Sequence, residues 1–170
     1  MDNQEDKRVF CDMDGVSAML YARAQFEEEM YEKGFFRTLN PYTEVVEALK
    51  IFREKHPEVE FFVLSACITE WAKEDKFAWL QEFLPVPASN CIFMGVGENK
   101  AKFVPGGIGA NDFLLDDYTK NLQEWTAAGG TAIKMKNEIN CRKGTWTGNM
   151  VSSFDTPDKI VKDLENYLGL

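Results

Sequence analysis

The chain has 170 residues, with 28 Asp and Glu against 19 Lys and Arg and a formal net charge of −9. A chain of this length is one domain that buries about two thirds of its unfolded surface, so its core needs neither disulfide nor metal. With 45% hydrophobic and 28% charged residues it is not a disordered polyampholyte, and its acidity disfavours nucleic acid or an anionic membrane as the main partner.

Short apolar strands alternate with helical patterns. Val9-Phe10-Cys11 is a strand that ends at Asp12, and Val16 to Lys33 reads as a helix with Met19, Phe26 and Met30 near one face. Gly34 ends that helix. Val45, Leu49 and Phe52 then mark a second one, stopped at His56-Pro57. Phe61 to Leu64 is a buried strand, and Trp71, Phe77, Leu80 and Leu84 predict a third helix closed by Pro85 and Pro87. Strands at Cys91 to Met94 and Phe113 to Leu115 flank a glycine-rich stretch. A short helix around Leu122 and Trp125 leads to Gly129-Gly130 and a strand at Thr131 to Met135. Thr156 as N-cap and Pro157 in the first turn open the last helix, with Ile160, Leu164 and Leu168 on one side.

Continuously apolar short strands alternating with helices predict an α/β fold, a parallel sheet with helices on both faces. The longest apolar run is too short to cross a bilayer, and the charged N-terminus has no apolar segment behind it. The cysteines Cys11, Cys67, Cys91 and Cys141 form no C-x-x-C pair, so reduced thiols and a cytoplasmic location are expected.

In such a sheet ligands gather beyond the carboxyl ends of the strands. Those ends carry Asp12-Met13-Asp14-Gly15, then Ser65, then Asp116-Asp117, with Lys100 and Lys102 in the loop before the last pair. Two carboxylates 4 Å apart repel by about 4 kcal/mol at a surface-like dielectric, so a cluster of them needs a cation or takes up protons. Oxygen ligands suit a hard divalent ion, and Mg²⁺ is the usual one beside phosphate. A metal, a lysine and a hydroxyl together form a receptor for a phosphate dianion. A calcium-binding loop starting at Asp12 is excluded, because Val16, Ser17 and Arg23 stand at its fifth, sixth and twelfth positions. The glycine-rich stretch matches neither nucleotide fingerprint, and the lone His56 before Pro57 offers no nucleophile–base couple.

The motifs FCDMDGV, FFVLSACI, GENKAKF and FLLDDYTKNLQEW, in that order, resemble those of the haloacid dehalogenase-like superfamily of phosphotransferases. Within it the chain is similar to the 5′(3′)-deoxyribonucleotidase family, through a short helical insert after the first motif, the GFFRTLNP stretch, and the spacing of Asp116-Asp117, Asn121 and Trp125. The likeness runs from about Arg8 to Trp125, with an echo at Gly144 to Gly148.

The resemblance implies a single Rossmann-like domain over residues 1–170 with a small helical cap at about 17–42. It implies a Mg²⁺-dependent phosphomonoesterase acting on deoxynucleoside monophosphates through an aspartyl-phosphate. Asp12 would be the nucleophile and Asp14 the acid and base. The metal would be held by Asp12, the Asp14 carbonyl and Asp116, with Asp117 outside the first ring of ligands. Ser65 and Lys100 would bind the phosphoryl oxygens beside Ala66, with Lys102 an alternative lysine, and Phe36 would contact the substrate. Ala66 stands where the family commonly has a second hydroxyl, and Tyr118 where it has a basic or small residue. The same chemistry on another small phosphoester, or a non-catalytic module that binds Mg²⁺ and phosphate, are the alternatives. A homodimer is expected by resemblance alone.

Overall fold

The computed structural model describes residues 6–23, 27–142 and 144–170. Six strands form one sheet: β1 (Arg8–Cys11), β2 (Glu60–Cys67), β3 (Cys91–Gly95), β4 (Asp112–Asp116), β5 (Thr131–Lys136) and β6 (Asn149–Ser152). Their spatial order is β3-β2-β1-β4-β5-β6, and every neighbouring pair is parallel. The chain winds outward from β1 to β3, then crosses back to β4 on the other side. The connections therefore diverge between β1 and β4, the place where open parallel sheets build their sites. Register fixes what meets there. Cys11 pairs with Val63 and Leu115, so Asp12, one residue on, lies level with Asp116, and its N–H donates to the Leu115 carbonyl at 2.9 Å.

Alternate residues of each strand enter opposite cores, which is why the strands read as unbroken apolar runs. Val9, Cys11, Val63, Phe113 and Leu115 face a core shared with α2 (Thr43–Lys55), α3 (Glu70–Phe83) and α5 (Pro157–Leu168). Phe10, Phe62, Leu64 and Leu114 face a second core under α4 (Thr119–Ala127) and a 3-10 turn at Lys100–Phe103. Phe10 stacks on Phe62 at 4.8 Å, and the Trp125 indole N–H is satisfied by the Asp112 carbonyl at 3.0 Å. Helices thus cover both faces, as expected. Thr156 caps α5 by accepting from the Lys159 N–H, and Gly169 closes it in the left-handed conformation.

The expected helix from Val16 to Lys33 is not formed. Met13 to Ala18 is instead a run of turns, in which Ser17 and Ala18 N–H groups donate to the Met13 carbonyl and Gly15 N–H to that of Ala18. One helical turn follows as α1 (Leu20–Arg23), then a 3-10 turn at Glu27–Tyr31; Phe26 lies outside the described residues. Three consecutive glutamates in so short a piece repel one another and leave no apolar stripe to hold a longer helix. Gly34, at φ +89°, does end the segment. β2 runs to Cys67, so Ser65 sits inside the strand rather than at its end, and β6 has no counterpart among the expected strands. On α3 the buried face is Ala72, Asp75, Lys76, Trp79 and Leu80, whereas Trp71 is exposed.

Candidate active site

Three carboxylates meet at the β1/β4 crevice. One oxygen from each of Asp12, Asp116 and Asp117 lies within 4.8 Å of the others. Asp12 is held by the N–H of Met13, which donates to its Oδ1 at 2.7 Å. Both Asp116 oxygens are engaged, Oδ1 by the Tyr118 N–H at 2.8 Å and Oδ2 by Asn121 at 3.0 Å. Asp117 Oδ2 accepts from Tyr21 Oη and Asn137 Nδ2, each at 3.0 Å. The same Asn137 amide donates to the Gly15 carbonyl at 2.9 Å, tying the first motif to the acidic pair.

Two buried lysines serve this cluster from different elements. Lys100 Nζ lies 2.6 Å from Asp116 and 3.0 Å from Asp12. Lys76, on α3, places its Nζ 2.5 Å from Asp14 Oδ2, 3.1 Å from Ser65 Oγ and 2.6 Å from the Ala66 carbonyl. It also lies 4.5 Å from the centre of the Phe36 ring. A third lysine, Lys134 on β5, donates to the Asp117 carbonyl at 3.1 Å.

The electrostatics leave the cluster short of positive charge. Burial pushes Asp14 and Asp116 above the usual carboxylate range, against the pull of Lys76 on the first and Lys100 on the second. Asp117 is pushed up to about 7 by burial and by the neighbouring charges of Asp116 and Asp12. Lys100, between two carboxylates, is raised despite its burial. Asp14 Oδ1 is buried with no hydrogen-bond partner among the described residues.

The residues named from the sequence meet here with one exception and some rearrangement. Asp12, Asp14, Ser65, Ala66, Lys100 and Asp116 converge, while Lys102 is exposed and makes no contact with the cluster. Asp117 joins Asp12 and Asp116 rather than standing apart. Phe36 is 3% exposed, its ring edge-on to Phe35 and against Lys76, so it supports the site from behind. Sequence reasoning missed Lys76, Tyr21, Lys134 and Asn137. For Lys76 the signal was present: a lysine four residues after Ala72 and three before Trp79 occupies the apolar stripe of α3. The other three carry no spacing that marks them.

Comparison with known proteins places the chain. A family model described as 5′ nucleotidase, deoxy (pyrimidine), cytosolic type C protein matches residues 25–147, a span that begins after Asp12 and Asp14 and takes in Ser65, Lys76, Lys100, Asp116 and Asp117. No curated protein matches the chain. Among solved structures, a chain of the Pnkp1/Rnl/Hen1 complex is similar at 18% identity and a TM-score of 0.57, over 78% of this chain and 47% of that one. A second structure of that RNA repair complex gives 16% and 0.55, over 78% and 44%. This chain thus spans less than half the length of either. A hypothetical protein from Xanthomonas campestris is similar at 11% identity and a TM-score of 0.54, over 96% and 83%. At these identities the likeness is one of fold.

Proposed function

We propose a function from one premise: the chain belongs to the family of 5′ nucleotidase, deoxy (pyrimidine), cytosolic type C proteins. The reading is a Mg²⁺-dependent phosphomonoesterase that hydrolyses deoxynucleoside monophosphates. The observation that carries it is the convergence of Asp12, Asp116 and Asp117 beside an Asp14 paired to a buried lysine.

The donor set fits a hard divalent cation. It is all oxygen, its carboxylates are packed closely enough to share one ion, and the four acids outnumber the three lysines, Lys76, Lys100 and Lys134, that serve them. Asp12, Asp116 and Asp117 would hold the ion, with the Asp14 carbonyl beside them. When bound, it would offset the charge of the phosphoryl oxygens and of the carboxylates themselves.

In the reaction, an Asp12 oxygen attacks phosphorus in line and the ester P–O bond breaks. Asp14 gives a proton from Oδ1 to the departing sugar oxygen. Its burial favours the acid form, and its other oxygen is tethered to Lys76, which leaves Oδ1 free for that transfer. Asp14 then takes a proton from water as the water attacks the aspartyl-phosphate, releasing inorganic phosphate and regenerating Asp12. Ser65 and Lys76 bind phosphoryl oxygens from one side and Lys100 from the other. The protein's share is thus mostly charge placement and positioning.

The exposed aromatic residues bonded to the cluster are Tyr21, whose hydroxyl donates to Asp117, and Tyr118, whose N–H donates to Asp116. Phe36 is buried against Lys76, so these exposed rings would be the ones to meet the leaving nucleoside, and apolar walls there would disfavour a ribose 2′-hydroxyl by roughly 1–3 kcal/mol if it were left unpaired. The test is a panel of 5′- and 3′-monophosphates, deoxy and ribo, assayed for phosphate release with and without Mg²⁺. Deoxy substrates are turned over faster, and Asp12→Asn abolishes release while its thermal melt stays cooperative. Activity that survives Asp12→Asn, or that ignores a chelator, overturns the reading.

A further inference from the structure

Beyond the acid cluster, on the far side of the β4–α4 turn, lies a pocket of about 300 Å³ lined by Lys134, Lys136, Arg142, Asn140 and Trp146. No Asp or Glu is among its lining residues, although the chain as a whole carries nine excess negative charges. Lys134 and Lys136, two apart on β5, project on the same face of the sheet. Lys134 is committed to the Asp117 carbonyl and Thr119 Oγ1. The side chains of Lys136 and Arg142 make no ion pair among the described residues. The Trp146 indole is held over Gly148, where no side chain would fit, by a bond from its N–H to the Asn149 carbonyl at 3.0 Å.

The pocket is attached to the candidate active site. Lys134 and Asn140, both in its lining, donate to the carbonyl of Asp117 at 3.1 and 3.3 Å, one residue's breadth from the carboxylate cluster. Two uncommitted cations and a fixed aromatic ring beside a phosphate-handling centre match one chemistry, a second phosphate on the same ligand. The patch is too narrow, and the rest of the surface too acidic, to follow an extended nucleic-acid backbone.

We propose that this pocket is a subsite for the second phosphate of a doubly phosphorylated nucleotide whose first phosphate sits at the Asp12 centre. The proposal rests on the phosphomonoesterase reading, but its test separates the two. KM is measured with Mg²⁺ for thymidine 5′-monophosphate and thymidine 3′,5′-bisphosphate, on the wild type, on Lys136→Ala/Arg142→Ala, and on Lys162→Ala as a charge control elsewhere. In the wild type, the bisphosphate has a KM about tenfold below that of the monophosphate, the value of one exposed charge-assisted contact. The double variant removes that gap and leaves monophosphate kinetics unchanged, and Lys162→Ala alters neither. Equal KM values in the wild type, or a gap that survives the double variant, overturn the subsite. If neither compound is hydrolysed, the reaction reading fails alone. Calorimetric titration of the two compounds into the same three proteins then decides the subsite by the same preference and its loss. Affinity that climbs with every nucleotide added to a 5′-phosphorylated oligomer overturns it in favour of an extended groove.

Discussion

Replacing Asp117 by Asn tests the claim that the acid cluster is short of positive charge. Asp117 titrates at about 7 in the folded protein against 3.8 for an ordinary aspartate. Between those values the folded state holds a proton that the unfolded chain has lost, so stability falls as pH rises from about 4 to 7 and is level above. At about 1.4 kcal/mol per unit, the displacement is on the order of 4 kcal/mol, or roughly 10 °C in Tm for a domain of this size. Asn keeps the shape, and with its amide oxygen in the Oδ2 position it can still accept from both Tyr21 and Asn137, but it does not titrate. In a chelator, the Tm of Asp117→Asn minus that of the wild type therefore increases by roughly 10 °C from pH 4 to pH 8. Mg²⁺ at a hundredfold excess over its Kd stabilises the wild type by about 2.7 kcal/mol, more at pH 8 than at pH 5, and stabilises the variant less. A Tm difference that does not change with pH, or an equal Mg²⁺ effect on both proteins, would refute the reasoning.

Four further substitutions probe other parts of the argument. A Cβ on Gly15, which holds φ +75°, would collide with the Asp117 carboxylate and the Tyr21 ring, so Gly15→Ala lowers both Tm and Mg²⁺ affinity. Gly34→Ala, at φ +89° but in open space, costs only about 1–2 kcal/mol of backbone strain and leaves Mg²⁺ affinity intact, both read by thermal melts with and without the ion. Lys76→Met leaves the Asp14 carboxyl buried without its partner and costs about 3–5 kcal/mol in urea unfolding, with kcat falling on the order of a hundredfold; unchanged stability and rate would reject its role. Arg8 clasps Asp112 at 2.5 and 2.8 Å and the carbonyls of Pro105 and Gly107 at 2.7 and 3.0 Å. Arg8→Ala loosens that glycine-rich loop at the far end of the sheet, lowering stability by about 2 kcal/mol in the same titration with phosphate release unaltered.

How much of this was legible in the sequence follows from the range of the forces involved. Strands whose two faces enter two cores announce themselves as apolar runs, and the α5 cap is a local exchange between Thr156 and Lys159, so both were readable. Residues 16–33 were not, because the periodicity of a few apolar side chains competes there with turns around Met13 and with a run of like charges, and tertiary contacts decide. Trp71 and Phe77 drew attention on α3 as large apolar residues, yet the helix buries Ala72, Asp75 and Lys76 instead. Asp75 is turned inward to receive the Gly34 N–H at 2.7 Å, a demand made by a segment about 40 residues away in the chain. β6 is an edge strand of four residues with only Val151 buried, too little burial to register as a pattern.

The same logic explains why the acids of the site could be read and most of their partners could not. Asp12, Asp14, Asp116 and Asp117 lie at strand ends, where topology alone brings them together. Their counter-groups come from wherever a side chain can reach: Lys76 from a helix, Lys100 from a 3-10 turn, Lys134 from the neighbouring strand β5 and Asn137 from the residue after it. Each of these groups meets an acid from a different part of the chain, so Lys134 and Asn137 carry no mark in the sequence, and Lys76 only its place on the apolar stripe of α3. What links them is the requirement that buried charge be compensated. Three lysines against four carboxylates meet that requirement only in part, and burial holds Asp14, Asp116 and Asp117 above the usual carboxylate range. On the proposed reading, a divalent cation held by Asp12, Asp116 and Asp117 would supply the remaining positive charge, two units in the volume of one atom.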